Sequence, residues 1–182
     1  MKKRDNHNTV DVKVGELQKA WIVKTYGTDV ITLSKKSLFW MIIKQNLELR
    51  PREYMPVQDR TEYVSFVLLR DSSNTRAYRD PDKDHPDRAS YRVNTIFRCC
   101  LSPKGERIIS RMIQNQFRNA FHCYMKGALN NNPDLSIVEA VTEFISDSLC
   151  YEVSNRTVAA MVKHWYRYRK ANDDEFAIPI FF

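Results

Sequence analysis

The sequence has 182 residues, of which 43% are hydrophobic and only four are glycine, so its composition excludes a low-complexity chain and fits one domain with at most a small appended lobe. Its formal net charge of +7 favours anionic partners, and no apolar run in the sequence approaches the roughly 20 residues that a membrane helix needs. No apolar stretch follows the basic start "MKKR", so we expect no signal peptide and a cytoplasmic protein without a membrane partner.

The first part of the chain is predicted to alternate strands with helices. Apolar spacing predicts a strand, a helix, a strand and a helix, in the order 9–14, 15–27, 28–34 and 35–49. Gly27 is expected to end the first helix, and Ser34 is expected to cap the second. The stretches "TEYVSFVLLR" (61–70) and "YRVNTIFRCCL" (91–101) predict two further strands, which the polar residues between them would join as a long hairpin.

From Ser102 onwards the sequence predicts three helices. Ser102 and Pro103 form a cap and a first helical position, and this helix should run to about residue 129. A capping box at Ser136 opens a shorter helix, 137–149, and Ser154 caps the last one, 155–170. The predicted fold class is therefore α+β. A small mixed sheet with two helices is followed by a three-helix part and then by an acidic-apolar tail, in the segments 9–101, 102–170 and 171–182.

The last helix separates its apolar side chains from its cations. At 100° per residue, one face of this helix is predicted to enter the core through Val158, Met161, Val162 and Trp165. The opposite face carries a basic ridge formed by Arg156, Lys163, Arg167 and Lys170. No acidic residue lies between Ser154 and Lys170, although ordinary solvated helices mix both signs of charge. The ridge is either a phosphate-binding surface or a solvated cationic face.

A second basic ridge lies on the long helix that begins after Ser102. Arg107, Arg111 and Arg118 share one side of that helix. The two ridges would form one electrostatic footprint for DNA if the fold aligned them.

The two C-terminal helices also suggest a helix-turn-helix. The last helix would then enter the major groove with Asn155, Arg156 and Thr157 nearest the bases and with later cations on phosphates. The connection "CYEVS" is longer than the usual three or four residues and lacks glycine. A generic helical hairpin therefore remains an alternative.

No pattern in the sequence indicates an enzyme. Phosphate-loop, dinucleotide-loop, metalloprotease and serine-hydrolase motifs are missing, and Cys99, Cys100, Cys123 and Cys150 lack the paired spacing of a zinc site. The acidic loop "DPDKDHPD" (80–87) lacks the glycine and glutamate of a calcium loop. We therefore predict a non-enzymatic protein with reduced thiols, no metal, no cofactor and no catalytic residue.

The tail "DDEFAIPIFF" (173–182) resembles the acidic Ile-Pro-Phe tail of bacterial single-stranded-DNA-binding proteins. This resemblance implies docking of a partner protein, although extra residues follow the proline here and no long linker precedes the tail. The docking residues would be Phe176, Ile178, Pro179, Ile180, Phe181 and Phe182. Alternatively, the tail packs on its own domain or on a neighbouring subunit of a homo-oligomer.

Residues 96–169, which include "IFRCCLSPKGERIISRMIQNQFRNAFHCYMKGALNNNPDLSIVEAVTEF", resemble short proteins of phages and integrated mobile elements of gut Bacteroides-type bacteria. The resemblance implies a mobile-element setting and no particular activity. Together with the basic helices, it leads to the hypothesis of a DNA-binding protein that contacts phosphates. The alternative hypothesis is a structural adaptor, such as a virion or assembly component, that oligomerises or docks through its tail.

Overall fold

A computed structural model describes residues 9–51, 53, 57–69, 75–77, 92–94, 96 and 99–172. The fold class is α+β, as predicted. The chain divides into two compact units. The first unit takes the described residues within Met1–Lys19 and Thr28–Ile113, and the second unit takes those within Ala20–Gly27 and Gln114–Phe182. The units are thus interleaved along the sequence, and the predicted division into the consecutive segments 9–101, 102–170 and 171–182 stays a prediction.

The strands of the described residues belong to the first unit and form one small sheet and two short ladders. They are β1 Thr9–Lys13, β2 Val30–Ile31, β3 Leu47–Leu49, β4 Tyr63–Val67, β5 Thr75–Ala77, β6 Arg92–Asn94 and β7 Cys99–Leu101. The sheet has the order β1-β4-β2, with β1 antiparallel and β2 parallel to β4, so it is mixed. Antiparallel pairing joins β3 to β7 and β5 to β6.

The predicted hairpin between 61–70 and 91–101 is wrong. The strand β4 pairs with β1 and β2, whereas β7 pairs with β3. Consecutive residues Val64, Ser65 and Phe66 are all buried, so β4 is covered on both faces and lies at the centre of its sheet. Alternation and β-branched residues predict that a segment is extended, but they do not select its hydrogen-bonding partner.

The helices begin and end largely at the predicted caps. They are α1 Glu16–Tyr26, α2 Leu38–Gln45, α3 Pro103–Asn131, α4 Ile137–Glu143 and α5 Asn155–Ala171, and a π-helical segment, Phe144–Ser148, continues α4. Gly27 ends α1 at φ +70°. The capping box at Ser136 is present, and Ser154 caps α5. None of these described helices is long and apolar enough to cross a membrane.

The helix predicted over 35–49 is shorter at both ends. Ser37, and not Ser34, is its cap, since the Ser37 hydroxyl accepts a hydrogen bond of 3.1 Å from the backbone N–H of Trp40. Ser34 instead closes a turn, because its carbonyl accepts from the N–H of Ser37 at 3.0 Å. At the other end, Leu47–Leu49 leaves the helix to pair with β7. Ladder pairing therefore overrides a helical apolar pattern there.

A buried carboxylate lies within the sheet of the first unit. The side chain of Asp11 on β1 is only 6% exposed. The Ser65 hydroxyl on β4 donates to its Oδ1 at 2.7 Å, and Nη2 of Arg60 lies 3.6 Å from the same oxygen. These partners offset the cost of removing the charge from water, and the Ser65 contact also links β1 to the antiparallel strand β4.

The second unit has an aromatic core around Phe121 of α3. Phe121 is fully buried, and its ring lies 5.1 Å from Phe144 and 6.3 Å from Trp165 between centroids. The predicted core face of α5 is confirmed, because Met161 and Trp165 are buried and its two valines are half-buried. The basic face of α5 must therefore point away from this core.

Replacing Trp165 with alanine should strongly destabilise the second unit. The side chain is 1% exposed and packs edge-to-face on Phe121, so its removal leaves a large cavity. We expect a loss of about 3–5 kcal/mol in the free energy of unfolding, measured by urea denaturation followed by circular dichroism. The neighbouring Tyr166, 54% exposed, provides the control. Tyr166→Ala should change stability by about 0.5 kcal/mol at most, and equal losses in the two variants would contradict this packing.

Candidate nucleic-acid interface

The N-terminus of α5 is organised by its cap. The Ser154 Oγ accepts from the backbone N–H of Thr157 at 3.1 Å and lies 2.7 Å from the Thr157 hydroxyl. The hydroxyl predicted to face bases is thus engaged within the cap. Asn155 and Arg156 are exposed beside it, at the helix end where the backbone dipole favours anions.

The basic ridge predicted on α5 is exposed along its whole length. We call its members the α5 cations, and they are Arg156, Lys163, Arg167 and Lys170. They lie on the side of the helix opposite Met161 and Trp165, which enter the core. Within the part of the chain that the structure describes, no ion pair to a carboxylate is found for these four side chains. Their charges are therefore not neutralised by described acids.

The three arginines predicted on α3 do not all belong to the same unit. Arg107 and Arg111 are exposed in the first unit, and Nε of Arg107 donates to the carbonyl of Pro103 at 3.1 Å. Arg118 is exposed in the second unit. Of the α3 ridge, only Arg118 joins the α5 cations on the surface of the second unit.

Two histidines meet between α3 and α5. Nε2 of His122 lies 3.0 Å from Nε2 of His164, and their ring planes are inclined by 18° with centroids 5.0 Å apart. This distance is that of a hydrogen bond, so one nitrogen carries a proton and the other accepts it. Tyr168 stacks on His122, with ring centroids 3.6 Å apart, and Nζ of Lys126 lies 5.5 Å from the Tyr168 centroid.

Burial and neighbouring cations keep this His122–His164 pair neutral. Burial, followed by the charges of His164, Arg118 and Lys126, lowers the pKa of His122 to about 4. Burial, followed by the charges of Arg118 and Arg167, also lowers the pKa of His164. The charges of Arg118 on α3 and Arg167 on α5 thus both lower the pKa of His164. One cation from each predicted ridge therefore lies near this histidine.

Sequence reasoning missed the His122–His164 pair, Lys126 and Tyr168. A partial signal exists on α3, where Arg118, His122 and Lys126 recur every four residues and so share one side of the helix. On α5, His164 and Tyr168 also lie four apart, between the basic face and the core face. Neither pattern shows that the two helices bring these sides together.

The structure does not confirm a helix-turn-helix. The π-helical segment and the non-helical residues 149–154 separate α4 from α5, and Cys150 takes the left-handed conformation with φ 49°. The backbone N–H of Tyr151 donates to the carbonyl of Ile145 at 3.1 Å, which closes the end of the π-helical segment. Contact of Asn155, Arg156 and Thr157 with bases therefore remains a prediction.

Several predicted features lie outside the described residues. They include the acidic loop 80–87 and the whole docking set Phe176, Ile178, Pro179, Ile180, Phe181 and Phe182. Docking through the tail remains a prediction. Among the described residues, no group of three or more histidine, cysteine or acidic side chains is placed to hold a metal ion.

No protein-family model matches the sequence, and neither curated proteins nor solved structures give a match. The resemblances of residues 96–169 and of the tail therefore remain predictions.

Acid should weaken the fold, because the folded chain keeps the His122–His164 pair neutral. The pKa of His122 is about 4 in the folded chain, whereas a histidine in an unfolded chain titrates near 6.5. Between these values the unfolded chain binds more protons, so the stabilisation present above about pH 6.5 is lost as the pH falls towards 4. Urea unfolding at about pH 7.5, 6 and 5 should therefore give a decreasing free energy of unfolding.

The His122→Gln variant tests the assignment of this pH dependence. Its free energy of unfolding should decrease less over the same pH interval, because the titrating imidazole has been removed. His85→Gln is the matched control, since it also removes one histidine and should behave like the unmodified protein. An equal decrease in all three proteins would contradict the role of His122.

Proposed function

We propose that this protein binds duplex DNA, mainly through phosphate contacts made by the second unit, and that it is a non-enzymatic protein of a phage or mobile element. The observation that carries the proposal is the exposed row of α5 cations on a helix with no acidic residue between Ser154 and Lys170. Phosphate groups supply the negative charge that this surface lacks.

The spacing of the α5 cations supports an anionic partner. Lys163 and Arg167 are four residues apart, and Lys170 follows three residues later, so successive charges are neighbours on one side of the helix. Like charges at this spacing destabilise a helix by about 0.2–0.5 kcal/mol per pair. A row of DNA phosphates relieves this repulsion, and the arginine can bind a phosphate through two parallel hydrogen bonds.

The surroundings of the α5 cations add to the positive field. The charges of Arg118 and Lys126 on α3 and of Arg167 on α5 all lower the pKa values of the His122–His164 pair. The pair carries no negative charge that would offset these cations. A concentration of one sign of charge on a surface raises the rate at which an oppositely charged polymer associates. The attraction between such a surface and the phosphates also contributes binding free energy that depends little on base sequence.

Trp165 is not available to stack single-stranded bases, although Tyr166 on the same helix is exposed. Single-strand binding proteins stack bases on exposed aromatic rings, and Trp165, the largest ring on α5, is instead packed in the core. Phosphate contacts alone position a protein on DNA without reading the sequence. Any sequence preference would come from Asn155 and Arg156, which are exposed at the start of α5.

Binding of duplex DNA should weaken steeply with salt. Each phosphate contact contributes about −0.9 to the slope of log affinity against log salt concentration. Charge reversal at Lys163 and Arg167 removes two contacts, so any residual binding should have a slope less steep by about 1.8 and an affinity too weak to detect at physiological salt. Fluorescence anisotropy with a labelled duplex over a salt series measures both quantities.

A matched double variant separates local contact from total charge. Lys35→Glu with Lys36→Glu changes the net charge by the same amount, and both side chains are exposed in the first unit. This control should keep the salt slope of the unmodified protein. No binding to DNA at low salt would overturn the proposal and favour the structural adaptor. Equal weakening in both double variants would show that net charge, and not the α5 cations, drives association.

A further inference from the structure

The charged neighbours of the His122–His164 pair are cations, and its other neighbours include the rings of Phe121 and Trp165. From α3 the pair faces Arg118 and Lys126, and from α5 it faces Arg167 together with the titratable but neutral Tyr168. No carboxylate among the described residues acts on either imidazole. Both histidine side chains are half-buried, so neither is fully withdrawn from solvent.

We propose that the His122–His164 pair is a proton-dependent clamp for a DNA phosphate. At a separation of 3.0 Å, the Nε2–H of one ring donates to the bare Nε2 of the other. One proton taken from solvent onto the accepting Nε2 converts the pair into two Nε2–H donors, and oxygen atoms of one phosphate accept both hydrogen bonds. This inference rests on the proposed function and adds its regulation by pH.

The proton and the phosphate depend on each other. Without an anion, the added charge would sit beside Arg118, Lys126 and Arg167, and burial would oppose it as well. A phosphate supplies the opposite charge and two acceptors, so it favours the protonated pair. By linkage, protonation must then strengthen phosphate binding by the same factor.

An anion fits this pair better than a metal ion does. Two imidazole nitrogens at 3.0 Å resemble half of a zinc site. However, the described residues provide no third ligand, and the nearest charges, Arg118, Lys126 and Arg167, all repel a cation. Those same three charges attract a phosphate.

The experiment measures the affinity for a labelled duplex between about pH 8 and pH 5 at constant ionic strength, with circular dichroism confirming the fold at each pH. The phosphodiester keeps its charge over this range. We expect affinity to rise as the pH falls over this range, by at most about tenfold per pH unit, which is the slope for the uptake of one proton. Calorimetry in two buffers of different ionisation enthalpy should show about one proton taken up per site on binding.

Variants locate the proton. In His122→Gln and in His164→Gln, tested separately, the affinity should rise much less with acidity, because a glutamine side chain does not titrate and the single remaining imidazole cannot form the two-nitrogen clamp. The control variant carries His7→Gln and His85→Gln and lacks the other two histidines of the chain. It should keep the full pH dependence. If a variant does not fold, the proton uptake of the unmodified protein still tests the clamp.

The outcomes distinguish this inference from the function on which it rests. An affinity that does not change with pH, or that rises equally in the unmodified protein and both single variants, overturns the clamp and leaves DNA binding in place. Binding without proton uptake has the same meaning. No binding to duplex DNA at any pH would overturn both proposals together.

Discussion

The packing of Phe121 against Phe144 and Trp165 is the contact on which the rest of the second unit depends. One buried ring on α3 touches the π-helical segment and α5 at the same time, with centroids 5.1 Å and 6.3 Å away. Because Trp165 must enter this core, α5 can take only one rotation about its axis. That rotation turns the α5 cations to solvent, so an apolar contact determines where the positive surface lies.

The same rotation places His164 at the border between core and surface. It meets His122 there, and the partly buried site disfavours the charged form of both rings. Neutral histidines allow Arg118, Lys126 and Arg167 to gather without adding further positive charge. The core, the pair and the cations are therefore connected physically. The core sets the rotation of α5, this rotation forms the pair, and the pair responds to the charges around it.

The positive surface of the second unit is not balanced by acids among the described residues. Its cations repel one another, and the described residues offer the α5 cations no ion-pair partner. Under the proposed function, duplex DNA supplies the opposite charge as a regular array of phosphates, and under the further inference the histidine pair adds a contact whose strength depends on proton concentration. The first unit differs from the second in that its buried charge has partners within the unit. The carboxylate of Asp11 contacts both Ser65 and Arg60.

Sequence alone determined the features that depend on neighbours along the chain. Caps at Ser136 and Ser154 and the separation of Trp165 from the α5 cations follow from contacts within one or two helical turns. The partners of β4, the transfer of Leu47–Leu49 from a helix to a strand and the His122–His164 contact were decided by tertiary structure. Ladder hydrogen bonds and contacts between helices join residues far apart, 42 positions in the case of the histidines, and no local periodicity records which distant segment will supply the partner.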